Sequence, residues 1–142
     1  MRLKLDQLLA RLKQGALAPV YLISGDEPLQ LMQAADAIRQ RARADGFAER
    51  QVLEVQRGFD WNELAQAGAS LSLFSERRII DLRLSGSSPG KDGGQALTDF
   101  CERKDADTLL LVSADKLDKK QQQARWFKVL DEAGVVVQIW PV

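Results

Sequence analysis

Residues 20–28 read Val20-Tyr21-Leu22-Ile23-Ser24-Gly25-Asp26-Glu27-Pro28, and this stretch decides the fold class. Its first four residues form a short, continuous apolar run, which is typical of a strand buried on both faces. A turn and a helix start follow, because Asp26 is placed to cap the first amides and Pro28 is tolerated in a first helical turn. The stretch therefore predicts a strand–turn–helix unit with its strand inside a covered sheet.

Strand and helix patterns alternate along the rest of the chain. Apolar or alternating runs predict further strands at 52–55, 78–84, 108–112 and 135–140. Apolar residues at helical spacing predict helices at 5–15, from Pro28 to about 45, from 61 into 70–74, around 97–101 and at 119–134. Residues 85–94, rich in Gly, Ser and Pro, are interpreted as a mobile linking loop. The alternation predicts an α/β fold, a three-layer αβα arrangement around a mainly parallel five-stranded sheet.

Composition narrows the class of protein. The chain has 142 residues, enough for one domain with a core, and its 20 basic and 20 acidic side chains cancel. No global field would therefore draw it to nucleic acid or to an anionic membrane. No apolar run reaches the length of about 18 residues that a membrane span needs, and no signal-peptide pattern is present. With a single cysteine, these features favour a cytoplasmic protein.

Residue types that carry catalysis are scarce. The chain has no histidine, the commonest general base and metal ligand. Cys101 follows Leu97 and Phe100 at helical spacing, so it is interpreted as a small core side chain. Asp81 and Asp115 do not form the acidic pair that magnesium prefers at a strand end, since basic residues flank them. We therefore expect no catalytic residue, no metal and no cofactor.

The turn after the first predicted strand lacks the features of a phosphate loop. A phosphate loop reads GxxxxGK[ST], with glycines that expose backbone amides and a lysine that neutralises phosphate. Here Gly25 is the one glycine, no lysine follows, and Pro28 has no amide hydrogen to donate. Asp26 and Glu27 occupy the helix start and would repel phosphate. The sequence predicts that this turn does not bind a nucleotide.

Residues 70–74 read Ser-Leu-Ser-Leu-Phe and lie between a predicted helix and a predicted strand. Leu73 and Phe74 are thus adjacent large apolar residues at an element boundary, which usually lies near the surface. One interpretation is an anchor that fills a pocket on a partner. The other is that the pair closes one end of the core.

The pentapeptide resembles the short motif with which bacterial proteins grip the DNA sliding clamp, whose usual form is Gln-Leu-Ser/Asp-Leu-Phe. Four of the five positions fit, and Ser70 replaces the glutamine. The whole chain also resembles the delta subunit family of the DNA polymerase III clamp loader. That resemblance is carried by LDQLLARL, YLISGDEPL, a helix ending in DGF, DW, SLF, LLLVSADKL and ARWF, in this order.

The resemblance implies a function and partners. Leu71, Ser72, Leu73 and Phe74 would bind the sliding clamp (the beta subunit) and favour a ring with one opened interface. The core would be AAA+-like (RecA-like) without a functional phosphate loop. This chain would have no catalytic activity, although the family's holoenzyme has DNA-directed DNA polymerase activity and other loader subunits use ATP.

Domain organisation also follows from the resemblance. The family has three domains, and residues 1–142 would be the first, a single clamp-binding α/β domain. Further domains would contact the other clamp-loader subunits. The chain stops directly after a predicted strand, which fits a cut between domains.

Two other function classes stay open. One is a divergent nucleotide-binding ATPase domain. The other is a nucleic-acid-binding module that would use Lys116, Lys119 and Lys120, although Asp115 and Asp118 dilute their charge and make a weak contact or a solvated helix start the plainer interpretation.

Three aromatic residues are candidates for a binding role or for core packing. Trp126 has the helical spacing of a core residue, and Phe127 could either pack inside or stack on bases. Asp60 is predicted to cap the helix that begins at Trp61. Trp61 is expected to hold this helix, which leads to residues 70–74, orienting the anchor without touching the partner.

Overall fold

A computed structural model describes residues 1–15, 17–56, 58–69, 77–84, 89–103 and 107–139. Within these ranges the elements are, in chain order, β1 (Arg2–Leu3), α1 (Leu5–Gln14), β2 (Val20–Gly25), α2 (Pro28–Ala44), β3 (Phe47–Val55), α3 (Asn62–Ala69), β4 (Arg77–Leu84), α4 (Gly90–Glu102), β5 (Thr108–Ala114), α5 (Lys119–Gln122), α6 (Arg125–Ala133) and β6 (Val135–Ile139). Every pair of neighbouring strands is parallel, and the strand order is β1-β6-β2-β5-β4-β3.

The sheet separates two apolar cores. Tyr21 and Ile23 face a core shared with α1 and α2, whereas Val20 and Leu22 face a core shared with α3, α4 and α6. Because successive side chains of a strand point to opposite faces, a strand covered on both sides must be apolar throughout. All six residues of β2 are buried, as the sequence predicted. The α/β fold with a parallel sheet is confirmed.

The prediction of five strands is wrong, since the described residues form six. β1 pairs with β6 at Arg2↔Val136 and Leu3↔Val137, and the Val136 amide donates to the Met1 carbonyl at 2.7 Å. A two-residue strand has no period that a sequence pattern can reveal. It exists because β6 offers it backbone partners more than 130 residues away along the chain.

The glycine-rich stretch is helical from Gly90 onward, so the prediction of a loop over 85–94 is wrong there. Gly93 is buried beneath the ring of Trp61, and a methyl group at Gly93 would lie 2.7 Å from Trp61 Cε2. The glycine therefore serves a close approach of two elements. Residues 85–88 lie outside the described ranges.

The helix predicted over 119–134 is two helices. α5 ends at Gln122, and α6 begins at Arg125 after an extended Ala124. The Asp118 carboxylate caps α5 by accepting the Gln121 amide at 2.8 Å. The restart lets Trp126 and the rest of the apolar face of α6 point into the core. Among the described residues, every helix is too short or too polar to cross a bilayer.

Candidate functional site

The predicted clamp-binding residues Leu71, Ser72, Leu73 and Phe74 lie outside the described residues, as does Ser70. Their role therefore stays a prediction. The structure does describe both ends of the segment 70–76, because α3 ends at Ala69 and β4 begins at Arg77. These two ends form a frame on either side of the segment.

The start of α3 packs tightly on α4. The predicted cap is confirmed, since the Asp60 carboxylate accepts the Asn62 amide at 3.0 Å. Phe59 and Trp61 pack edge to face, with ring centroids 5.1 Å apart. The Trp61 ring also rests on Gly93, which brings α3 as close to α4 as a missing side chain permits. Trp61 thus holds the helix that leads to the segment.

The second turn of α3 is tied to the end of α4. The Arg103 guanidinium donates to the Ala65 carbonyl oxygen at 2.9 Å. A backbone carbonyl oxygen has two lone pairs, so it can accept from a guanidinium as well as from a helical amide. α3 is therefore attached to α4 at two points, at Trp61 just before its first residue and at Ala65 near its middle.

The start of β4 is held by two neighbouring turns. The Arg77 guanidinium donates to the Asp45 carbonyl oxygen at 3.1 Å, lies 3.6 Å from an Asp107 carboxylate oxygen, and sits 5.4 Å from the centroid of the Phe47 ring. The Arg78 amide donates to the Asp107 carbonyl oxygen at 2.9 Å. Arg77 still leaves 48% of its side chain exposed, so it can also contact a partner beside the segment.

The turn after β2 is closed by backbone packing. A methyl group at Gly25 would lie 2.6 Å from the Ile139 carbonyl oxygen. The expected cap by Asp26 is wrong, because Glu27 is the N-cap residue of α2 and makes no side-chain cap bond. Proline forces the preceding residue into an extended conformation, so Pro28 at the first helical position makes Glu27 the boundary.

The cavity at this turn is very small. Its volume is about 10 Å³, roughly that of one water-sized probe, and it is lined by Ser24, Gly25, Lys116, Leu117, Gln138 and Ile139. It lies where β2, β5 and β6 end, which is the edge of a parallel sheet at which α/β proteins usually bind ligands. The atoms at these strand ends therefore leave room for about one water molecule between them.

Asp81 is buried in the sheet and neutralised by arginines. It is 1% exposed, and its Oδ2 atom lies 3.0 Å from Arg39, 3.1 Å from Arg50 and 3.4 Å from Arg83. This arrangement ties α2 and β3 to β4 and leaves the carboxylate no role as a metal ligand. Within the described ranges, no group of three His, Cys, Asp or Glu side chains could hold a metal ion.

The aromatic and basic residues considered for nucleic-acid binding differ in exposure. Trp126 and Phe127 are both buried and pack edge to face, so neither offers a ring for stacking on bases. Lys119 and Lys120 are exposed, and a helix of one turn has little macrodipole for them to oppose.

Cys101 is buried in the core as expected, and burial raises the pKa of its thiol to about 12. A thiolate nucleophile at Cys101 is thus disfavoured.

Sequence reasoning missed Gly93 and Arg103, the two residues by which α4 holds α3. Gly93 had a local signal, because it precedes Leu97 by four residues and Phe100 by seven, and so continues the apolar face of the predicted helix. Arg103 had none, since its partner Ala65 is 38 residues away along the chain.

The fold is that of a clamp-loader delta protein. The solved structure of the Bacillus subtilis DNA clamp loader delta protein matches with a TM-score of 0.73 at 18% identity, over 97% of this chain and 43% of that one. The family model for DNA polymerase III, delta subunit, matches residues 21–139. The chain belongs to this family.

Two relatives agree in sequence. DNA polymerase III subunit delta of Escherichia coli (strain K12) is 35% identical over 137 residues, which cover 96% of this chain and 40% of that protein. The Haemophilus influenzae protein of the same name is 33% identical over 129 residues, which cover 89% and 36%. The chain thus spans about 40% of the length of the relatives that it matches.

Proposed function

We propose that this chain is the N-terminal, clamp-binding domain of a clamp-loader delta subunit. In this proposal Leu71, Ser72, Leu73 and Phe74 bind the DNA polymerase sliding clamp, and the domain promotes opening of the ring for loading onto primed DNA. The observation that carries the proposal is the Leu-Ser-Leu-Phe segment between two firmly held ends, in a chain that belongs to the delta family. Other clamp-loader subunits would bind the further domains of a longer protein.

The anchor needs help from its surroundings. Burial of a Leu and a Phe side chain contributes about 3–6 kcal/mol. Association costs on the order of 4–15 kcal/mol, so Leu73 and Phe74 do not hold a ring alone. Leu71 adds apolar area, and the half-exposed Arg77 adds a charge next to the segment.

Ring opening requires that the domain bind the open clamp more tightly than the closed one. A flexible tether does not distinguish the two, because it follows its pocket wherever the pocket moves. The contacts Trp61–Gly93, Arg103–Ala65 and Arg77–Asp45 make both ends of the segment part of a rigid body. This rigidity supports a lever that presents Leu73 and Phe74 at a fixed angle.

We further propose that the core is AAA+-like but has lost its nucleotide site. The small cavity, the approach of Gly25 to Ile139, and the carboxylates Asp26 and Glu27 all oppose a triphosphate at the turn after β2. Energy for loading would then come from ATP bound by other subunits. Titration calorimetry with ATP and magnesium should show no binding at millimolar nucleotide. A micromolar dissociation constant would instead favour a divergent ATPase domain.

The clamp-binding proposal is tested with a double variant. Leu73→Ala with Phe74→Ala should weaken binding to the sliding clamp at least about a hundredfold, since two apolar anchors are removed. The matched control is Leu29→Ala with Met32→Ala, a pair on α2 that is 75% and 59% exposed. Clamp affinity and circular dichroism are measured on the same samples. Unfolding of the first variant would show that the pair belongs to the core.

The lever is tested with a peptide. A synthetic peptide of residues 66–78 should compete with the domain for the clamp but should not open the ring, because it lacks the rigid frame. The assay is release of clamps from circular DNA at saturating peptide or domain. Equal release by both would mean that the domain only presents the segment.

A further inference from the structure

A groove runs between α3 and α4 on the outer side of the domain. Its volume is about 390 Å³, which is enough for a long side chain with part of its backbone. The lining residues from α3 and the loop before it are Phe59, Asp60, Trp61, Asn62 and Ala65, and those from α4 are Asp92, Gln95, Ala96, Asp99, Phe100 and Arg103.

Two aromatic rings line one end of this groove. Phe59 and Trp61 are both half-buried, so part of each ring is accessible. Their edge-to-face packing fixes the orientation of both rings. Gly93 supports Trp61 from below, because it has no side chain to push the indole outward. A fixed, partly exposed indole is the preferred surface for a cation placed over a ring.

The rim of the groove is acidic. Asp60, Asp92 and Asp99 are exposed and line it, against the single guanidinium of Arg103, in a chain whose overall charge is zero. Among the described residues, no Lys or Arg side chain forms an ion pair with any of these three carboxylates. Arg103 lies at the Ala65 end and donates to that carbonyl.

We infer that this groove binds an arginine side chain presented by a protein partner. A guanidinium is flat, so it can stack on the Trp61 indole while its edge donates to a carboxylate. The long apolar stem of arginine suits the part of the wall formed by Ala96 and Phe100. Lysine satisfies the charge but not the planar stacking, and a neutral side chain satisfies neither.

The inference is tested by nuclear magnetic resonance on the 142-residue chain. The probe is N-acetyl-arginine N-methylamide, and the observable is the Trp61 indole Nε1–H signal, assigned with a Trp61→Phe variant. The neutral, nearly isosteric probe N-acetyl-citrulline N-methylamide is the comparison. We expect a saturable shift of the Trp61 signal with the arginine probe, a smaller one with the lysine analogue, and none with citrulline.

A charge variant then locates the interaction. Asp60→Asn, Asp92→Asn and Asp99→Asn together should raise the dissociation constant of the arginine probe about tenfold. Asparagine at 60 still caps α3, and asparagine at 99 still accepts the amide of Gln95. The control, Asp6→Asn with Asp115→Asn, removes exposed carboxylates elsewhere and should leave the constant unchanged.

Three results would overturn the inference. They are equal shifts with arginine and citrulline, no shift of the Trp61 signal, and an affinity that the groove variant does not lower beyond the control. If the triple variant alters the backbone spectrum, the single variant Asp99→Asn is used in its place, and it should raise the dissociation constant of the arginine probe about threefold. None of these outcomes depends on binding to the sliding clamp, so the proposed function stands or falls separately.

Discussion

The turn after β2 and the junction before β4 are connections of the same sheet, yet they differ in what they leave open. At the turn, Gly25 lies so close to Ile139 that a methyl group would overlap the backbone, and about 10 Å³ of space is left. At the junction, Arg77 on one side and the α3–α4 contacts on the other hold two ends, with the segment 70–76 and its three large apolar residues between them. One α/β scaffold thus leaves little space at the ends of three strands while it holds both ends of a connecting segment elsewhere.

The largest loss of stability is expected when a side chain is added at Gly25, the last residue of β2. Gly25→Ala places Cβ 2.6 Å from the Ile139 carbonyl oxygen, in a strand between two neighbours. We expect a loss of about 3 kcal/mol in unfolding free energy, because Ile139 is held in the sheet beside Gly25 and its backbone cannot move away. Urea unfolding measures the loss. Clamp affinity per folded molecule should not change, and a parallel fall in affinity would show that turn and junction are coupled.

The next effect tests the junction. Gly93→Ala forces the Trp61 ring away from α4, at a cost of about 2 kcal/mol against a helix-propensity gain of about 1 kcal/mol. Clamp affinity should fall severalfold, because α3 leads directly into the segment. Gly94→Ala is the matched control, since its Cβ would lie 3.3 Å from Trp126 and the helix gain would roughly offset that contact. Equal effects of the two variants on clamp affinity would argue against the frame.

A smaller effect is expected at the other attachment of α3. Arg103→Met keeps an unbranched stem but removes the guanidinium and with it the hydrogen bond to Ala65, at a cost of at most about 1 kcal/mol because Arg103 is exposed. Clamp affinity should fall about two- to threefold. Arg125→Met, which removes another exposed cation near the end of α4, serves as the control. Identical clamp affinities for the two variants would mean that Arg103 has no part in orienting α3.

The smallest effect at neutral pH concerns Cys101, on the helix that carries Gly93 and Arg103. Burial raises the pKa of its thiol from 9.0 to about 12. The unfolded chain therefore loses this proton first, so the stability that depends on it is full below pH 9 and falls as the pH rises from 9 to 12. Cys101→Ala should remove this part of the decline, as measured by urea unfolding across that range. If the free energy of unfolding falls equally with pH in the original chain and in Cys101→Ala, the core around α4 admits solvent.

Most of the fold could be predicted from the sequence, because the buried face of a helix or strand appears as a regular pattern of apolar residues within a short stretch. The continuous apolar run at β2 predicted a strand covered on both faces, further runs predicted β5 and β6 as strands, and helical spacing predicted α1 and α2. The cap by Asp60 and the core positions of Trp126 and Cys101 followed from the same reasoning and are confirmed. The helical start of α4 at Gly90 could not be predicted from the sequence, because a glycine can indicate either a turn or a close approach of two elements.

From the sequence alone follow the class of fold, the identity of the buried runs, and a pentapeptide with three large apolar residues between a predicted helix and a predicted strand. The tertiary structure decided the order of the strands, the sixth strand, the seat of Trp61 on Gly93, and the bond from Arg103 to Ala65. The physical reason is the range of the interactions. The spacing of apolar residues within one helix or strand indicates which side chains are buried, so it can be recognised in a short stretch of sequence. The contacts that frame the segment join residues about 30 or more positions apart. Only the folded chain brings those residues together.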